Sequence, residues 1–192
     1  MKTVFVDVDT QLDFLYPAGA LYVAGAERIV PAVEGLNRYA AANGIPVLST
    51  TDAHTEDDPE FRDWPPHCVA GTAGQHKPAP TLLERRVVVP NRDGAVSIAA
   101  AQQIVLEKQT IDAFQTRSIR AVLEALAADR FVIYGVVTEI CVSAIARGLL
   151  GTGKSVTLVT GATQSMNGEK AAQAIEEIRS LGGMVSENWT GA

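Results

Sequence analysis

Seven short runs rich in β-branched residues alternate with longer stretches of helical periodicity, and that rhythm limits the chain to few architectures. The runs are Thr3 to Asp7, Pro46 to Thr50, Arg86 to Pro90, Ile104 to Leu106, Phe131 to Val137, Val156 to Val159 and Met184-Val185. Between them helices are predicted over 26–43, 116–128, 138–150 and 169–181. In the second of these Ile119, Val122, Leu123 and Leu126 keep to one helical face, and Gly44, Gly151, Gly153 and Gly182 mark helix ends. Repeated βαβ units predict an α/β fold, a three-layer α/β/α sandwich with a mostly parallel central sheet. A chain of 192 residues with 47% hydrophobic content supports one sizeable core, so a single domain over 1–192 is expected. In such sheets ligands gather at the carboxyl ends of the strands. Two stretches break the rhythm, Gln11 to Gly25 and the long Pro-, Asp- and Gly-rich segment Asp52 to Pro80. Both are expected to be functional loops covering that end.

Charge narrows the partners. The net charge is −6 and no basic cluster exceeds the pair Arg85-Arg86, which argues against nucleic acid. No apolar stretch has the length of a membrane span, and Asp7 and Asp9 follow the start too closely for a cleavable signal. A cytoplasmic protein without membrane contact is expected, and its two cysteines, Cys68 and Cys141, are expected to be reduced.

Three reactive side chains stand at three predicted strand ends. Cys141 follows the break at Gly135 and falls in the first turn of a predicted helix, where unpaired N–H groups and the helix dipole favour a thiolate and an oxyanion. Asp9 lies just past the first strand, placed to exchange a proton with the thiol. Lys108 ends the run Ile104 to Lys108, and its ammonium is expected to depress the thiol pKa. Parallel pairing brings such ends into one crevice. After the second strand, Asp52 and His54 share one face of an extended chain and form half a metal site. Glu60 and His67 are the candidates to complete it, Asp57 and Asp58 are competing carboxylates, and Cys68 is adjacent. Mixed nitrogen and oxygen ligands suit a divalent ion, zinc first, with manganese or iron as alternatives. His76 lacks such a pattern.

Taken together, Asp9-Thr-Gln11-Leu-Asp13-Phe14, Asp52-Ala-His54, Trp64-Pro-Pro-His67-Cys-Val-Ala-Gly71-Thr, Lys108 and Gly135-Val-Val-Thr138-Glu-Ile-Cys141-Val142 resemble the isochorismatase-like cysteine hydrolases, and among them the nicotinamidases. The resemblance runs in order from residue 3 to about residue 160. It implies an isochorismatase-like fold with Cys141 as nucleophile, Asp9 as base and then acid, and Lys108 as their charged partner. It also implies a cis peptide between Val136 and Val137, with the N–H groups of Val137 and Cys141 forming the oxyanion hole. Asp52, His54 and His67, with Glu60 at a further position, would hold the metal, and Phe14 and Trp64 would sandwich a pyridine ring. The implied reaction is hydrolysis of nicotinamide to nicotinate and ammonia through a thioester, in NAD salvage, by a homo-oligomer acting on a small-molecule amide.

The likeness is not complete. After Cys141 the chain reads Val-Ser-Ala-Ile-Ala-Arg147, where many relatives have Thr-Ala-x-Asp-Ala, and after Lys108 it reads Gln-Thr-Ile-Asp-Ala-Phe114 in place of the usual Tyr-Ser-Gly. These changes leave two rival readings: another small-amide or ureido hydrolase of the superfamily, and a non-catalytic binding or scaffold member of the fold. A redox-sensing thiol protein is a third, and would need Cys68 near Cys141.

Overall fold

The computed structural model describes residues 1–92 and 97–191. Its centre is a seven-stranded sheet in which every neighbouring pair is parallel. In chain order the elements are β1 (Thr3–Val8), α1 (Leu12–Leu15), α2 (Val30–Ala42), β2 (Val47–Asp52), β3 (Arg86–Val89), β4 (Gln103–Lys108), α3 (Ile119–Leu126), β5 (Arg130–Val136), α4 (Ser143–Gly151), β6 (Ser155–Gln164), α5 (Gly168–Ser180) and β7 (Met184–Ser186). The strand order is β3-β4-β2-β1-β5-β6-β7. The chain therefore winds outward from β1 in both directions, and the order reverses beside it.

The central strands are covered on both faces, which is why they read as continuous apolar runs. Alternate residues of β1 point to opposite layers. Val4, Val6 and Val8 join Ile104, Leu106, Ile133 and Leu158 beneath Ile119 and Val122 of α3, Ile145 and Leu149 of α4, and Ile178 of α5. Phe5 joins Val47, Val132 and Tyr134 beneath Val30, Val33 and Ala40 of α2. The expected three-layer sandwich is thus present. At about 25 cal/mol per Å² of apolar area, these two layers are the main stabilising contribution. No helix among the described residues is long and apolar enough to cross a membrane.

Boundaries differ most from expectation in three places. The first predicted helix opens with a 3-10 turn at Ala26–Ile29 before α2, since Pro31 can enter a helix only near its start. The third begins as a π-helical turn at Thr138–Val142 before α4. β6 runs well past Val159 to Gln164, following a register shift against β5 between Ile133 and Gly135.

Candidate active site

Four adjacent strands deliver the candidate residues. β4, β2, β1 and β5 lie side by side, and their carboxyl ends carry Lys108, Asp52, Asp9 and, one turn beyond β5, Cys141. Asp52 and Lys108 are register partners across β2 and β4. Val8 of β1 pairs with both Thr50 and Gly135. Gly135 is required there: its φ is +120°, and a Cβ would lie 2.1 Å from the Val8 carbonyl oxygen. The following Val136–Val137 peptide is cis, as the resemblance implied. Past it, the N–H groups of Ile140 and Val142 both donate to the Val137 carbonyl, at 3.0 and 3.2 Å, which sets the tight turn that presents Cys141.

The three reactive groups meet. Lys108 Nζ lies 2.9 Å from Asp9 Oδ2 and 3.9 Å from Cys141 Sγ, and it also donates to Asp52 Oδ1. Thr50 Oγ1 donates to Asp9 Oδ1 at 2.7 Å. Asp9 has a φ of 49°, a left-handed conformation that bends the chain out of β1 at this residue. All of these side chains are buried, yet the ammonium is held well above its ordinary pKa: burial works against it, and Asp52, Asp9 and Cys141 outweigh that cost. The thiol departs from expectation. Burial pushes Cys141 up most; Lys108 opposes this as predicted, but the charges of Asp9 and Asp52 and a hydrogen bond to Asp9 reinforce burial. Burial and the two neighbouring carboxyl groups therefore favour the protonated thiol at Cys141, and Lys108 opposes them.

Beside Lys108 lies a second cluster. Ligand atoms of Asp52, His54 and His67, all buried, fall within 4.8 Å of one another. Asp52 Oδ1 is 4.0 Å from His54 Nε2, and Asp52 Oδ2 is 3.9 Å from His67 Nε2. His67 Nδ1 makes a 2.8 Å hydrogen bond with the Pro65 carbonyl, which assigns the proton to Nδ1 and leaves the Nε2 lone pair facing the cluster. His54 Nδ1 lies 3.0 Å from Asp58 Oδ2 in an ion-pair contact, and neither of its buried ring nitrogens has a hydrogen-bond partner among the described residues. An orphaned imidazole nitrogen beside a carboxylate and a second free nitrogen fits a divalent metal ion. Burial raises the Asp52 carboxyl most, Lys108 opposes and Asp9 adds to the rise, a situation a cation would relieve.

Glu60 is outside this tight group, yet it lines the same small cavity as Asp52, His67 and Cys141. Phe14 and Trp64 line it too, together with Leu21, Ile111, Val137, Ile140 and Met166. Asp58 emerges as the group that orients His54 and not as a member of the cluster, while Asp57 is exposed. Sequence reasoning missed Phe61, whose ring lies 5.2 Å from His54 and 5.7 Å from His67; Phe14 lies 5.3 Å from His67 as well. It also gave Gln11 no task. Gln11 donates to the carbonyls of Asp52 and Gln75, both at 2.8 Å, and accepts from Asp52 N at 2.7 Å, tying the long loop to the end of β2. The position of Gln11 two residues past Asp9 was the available signal. Cys68 and Cys141 are both free thiols, and His76 is exposed.

Comparison with known proteins gives the family and the fold. The family model described as the isochorismatase domain matches residues 3–188. The crystal structure of the nicotinamidase of Bacillus subtilis superposes with a TM-score of 0.84 at 26% identity, covering 97% of this chain and 100% of that one. The pyrazinamidase of Pyrococcus horikoshii, in complex with zinc, gives 0.80 at 27% identity, with 97% and 99% covered. The nicotinamidase/pyrazinamidase of Mycobacterium tuberculosis is 25% identical over 179 residues, 90% of this chain and 91% of its own length.

Proposed function

The chain belongs to the isochorismatase family, and from that premise we propose that it is a cysteine-dependent amidohydrolase that converts nicotinamide to nicotinate and ammonia. The observation that carries the reading is a shared contact. Lys108 joins Cys141 and Asp9 on one side to Asp52 on the other, so the nucleophile and the metal-type cluster face one cavity walled by Phe14 and Trp64.

Asp52, His54 and His67 would hold a divalent ion, zinc first and manganese or iron as alternatives, with Glu60 as a further contributor. When bound, that ion supplies a Lewis-acid anchor for a ring nitrogen. Phe14 and Trp64 hold the ring flat with its carboxamide over the sulfur. Asp9 takes the thiol proton as Sγ bonds to the carbonyl carbon, and the N–H groups of Val137 and Cys141 receive the resulting oxyanion. Lys108 balances the negative charge that gathers between sulfur and carboxylate. As the C–N bond breaks, Asp9 returns the proton to the departing nitrogen, and ammonia leaves behind a thioester. Asp9 then takes a proton from water, whose oxygen attacks the thioester; nicotinate leaves and the sulfur regains its proton from Asp9.

The pocket favours a neutral amide over a ureido acid. Its charged lining is Asp52 and Glu60, and no Lys or Arg lines it among the described residues. A substrate carboxylate would meet those two acids and would have to compete for the bound cation, the group that the ring nitrogen of nicotinamide would use. Steady-state ammonia release on nicotinamide and on N-carbamoylsarcosine tests the assignment. A kcat/KM higher for nicotinamide is expected, and the reverse order would transfer the protein to the ureido hydrolases. With this reading go NAD salvage and a reducing cytoplasmic setting, with which two free thiols accord. A homo-oligomer rests on the family likeness.

A further inference from the structure

The cavity beside Cys141 is narrow, about 30 Å³, so a pyridine carboxamide would press closely on the side chains of its wall. Of its lining residues, Met166 is the one the structure leaves exposed, at 40% of its surface, while Phe14, Val137 and Cys141 are packed in the core. An unbranched thioether repacks at little cost and makes favourable contacts with aromatic rings. Its backbone, by contrast, is fastened. Glu139 Oε1 accepts from Met166 N at 3.0 Å and from Asn167 N at 2.7 Å, and Asn167 caps α5 by accepting from Lys170 N. Thr138 Oγ1 donates to the Gln164 carbonyl at 3.0 Å, and the Gln164 amide donates to the Ala24 carbonyl at 2.6 Å. The turn that carries the nucleophile thus grips the connection between β6 and α5 at both ends, with the Met166 side chain exposed between these contacts.

We infer that Met166 is the specificity-determining wall of the Cys141 pocket, moving aside to admit a planar ring and then covering it, and that Glu139 is the positioning residue that fixes this wall against the nucleophile. The inference rests on the proposed amidase reading and deepens it. The substrate is an aromatic carboxamide whose edge toward Met166 carries no bulky substituent.

Steady-state kinetics with nicotinamide and 5-methylnicotinamide test this on the metal-loaded protein. Met166→Ala should raise KM for nicotinamide by about two- to tenfold through the lost thioether contact, with kcat little changed. It should also raise kcat/KM for the methylated ring relative to nicotinamide by about tenfold, the selectivity that one methyl group commands in a pocket. Glu139→Ala should shift the same ratio in the same direction, and Glu139→Gln, which keeps the accepting oxygen, should restore it. A merely structural role for Glu139 would lower Tm without moving that ratio. Alkylation of Cys141, read by peptide mass, reports the wall without any substrate. The rate with N-ethylmaleimide relative to iodoacetamide should rise several-fold in Met166→Ala and Glu139→Ala. Unchanged ratios in these variants overturn the inference. If the wild type hydrolyses neither amide, the functional reading falls and the alkylation ratios alone decide the wall.

Discussion

Cys141, Asp9 and Lys108 were legible because each is a distinctive residue type at a strand end, and parallel pairing does the rest. The state of the sulfur was not legible, since it depends on how completely Phe131 to Val142 is buried and on a second carboxylate, Asp52, brought in by β2. That burial carries a pH signature. Both Cys68 and Cys141 keep their protons in the folded metal-free chain to higher pH than in the unfolded chain, where a thiol titrates near ~8.5. Above that value the folded state binds more protons, so the stability difference is intact below it and is lost as pH rises, by up to about 1.4 kcal/mol per pH unit for each thiol. Urea unfolding between neutral pH and pH ~10 should show the decline, and Cys68→Ala should make it shallower; equal slopes would contradict the burial account. Asp58 belongs to the same scale. Its contact with His54 Nδ1 fixes the imidazole with Nε2 toward Asp52, so Asp58→Ala should weaken zinc binding by about 10- to 100-fold in a chelator competition. An unaltered affinity would show that His54 needs no orienting partner.

Among the elements, the parallel strands and the helices facing them were readable from their periods, whereas the π-helical turn at Thr138–Val142 was not. A five-residue turn has no period of its own, and the close approach of β5 to Val8 at Gly135, three residues before it, is no more visible in the sequence. Gly135→Ala should therefore do more than stiffen the backbone. It drives a Cβ into the carbonyl next to Asp9, and a loss of about 3 kcal/mol or more in urea unfolding is expected. A near-wild-type midpoint would mean that β1 and β5 do not approach as closely as described. The long loop was recognisable as functional by its length, but its path was not. His54 bridges to Val69, Gln11 fastens both of its ends, and Phe61 reaches the histidines, all through contacts that no local pattern encodes.

At the scale of the whole molecule, the order of strands decides what the residues can do. With β4, β2, β1 and β5 adjacent, an ammonium, two carboxylates and a thiol meet although about 130 residues separate the first from the last in sequence. The alternating runs implied a parallel sheet with its first strand central, yet they did not state that β2 lies between β1 and β4. That order makes Lys108 the bridge between Cys141 and the cluster of Asp52, His54 and His67. Release of ammonia from nicotinamide, measured side by side for the zinc-loaded protein and its Cys141→Ala variant, tests the central claim most directly. The account predicts nicotinate and ammonia in equal amounts from the first and neither from the second, with both proteins folded. Sustained release by the variant, or none by the intact enzyme, would contradict it.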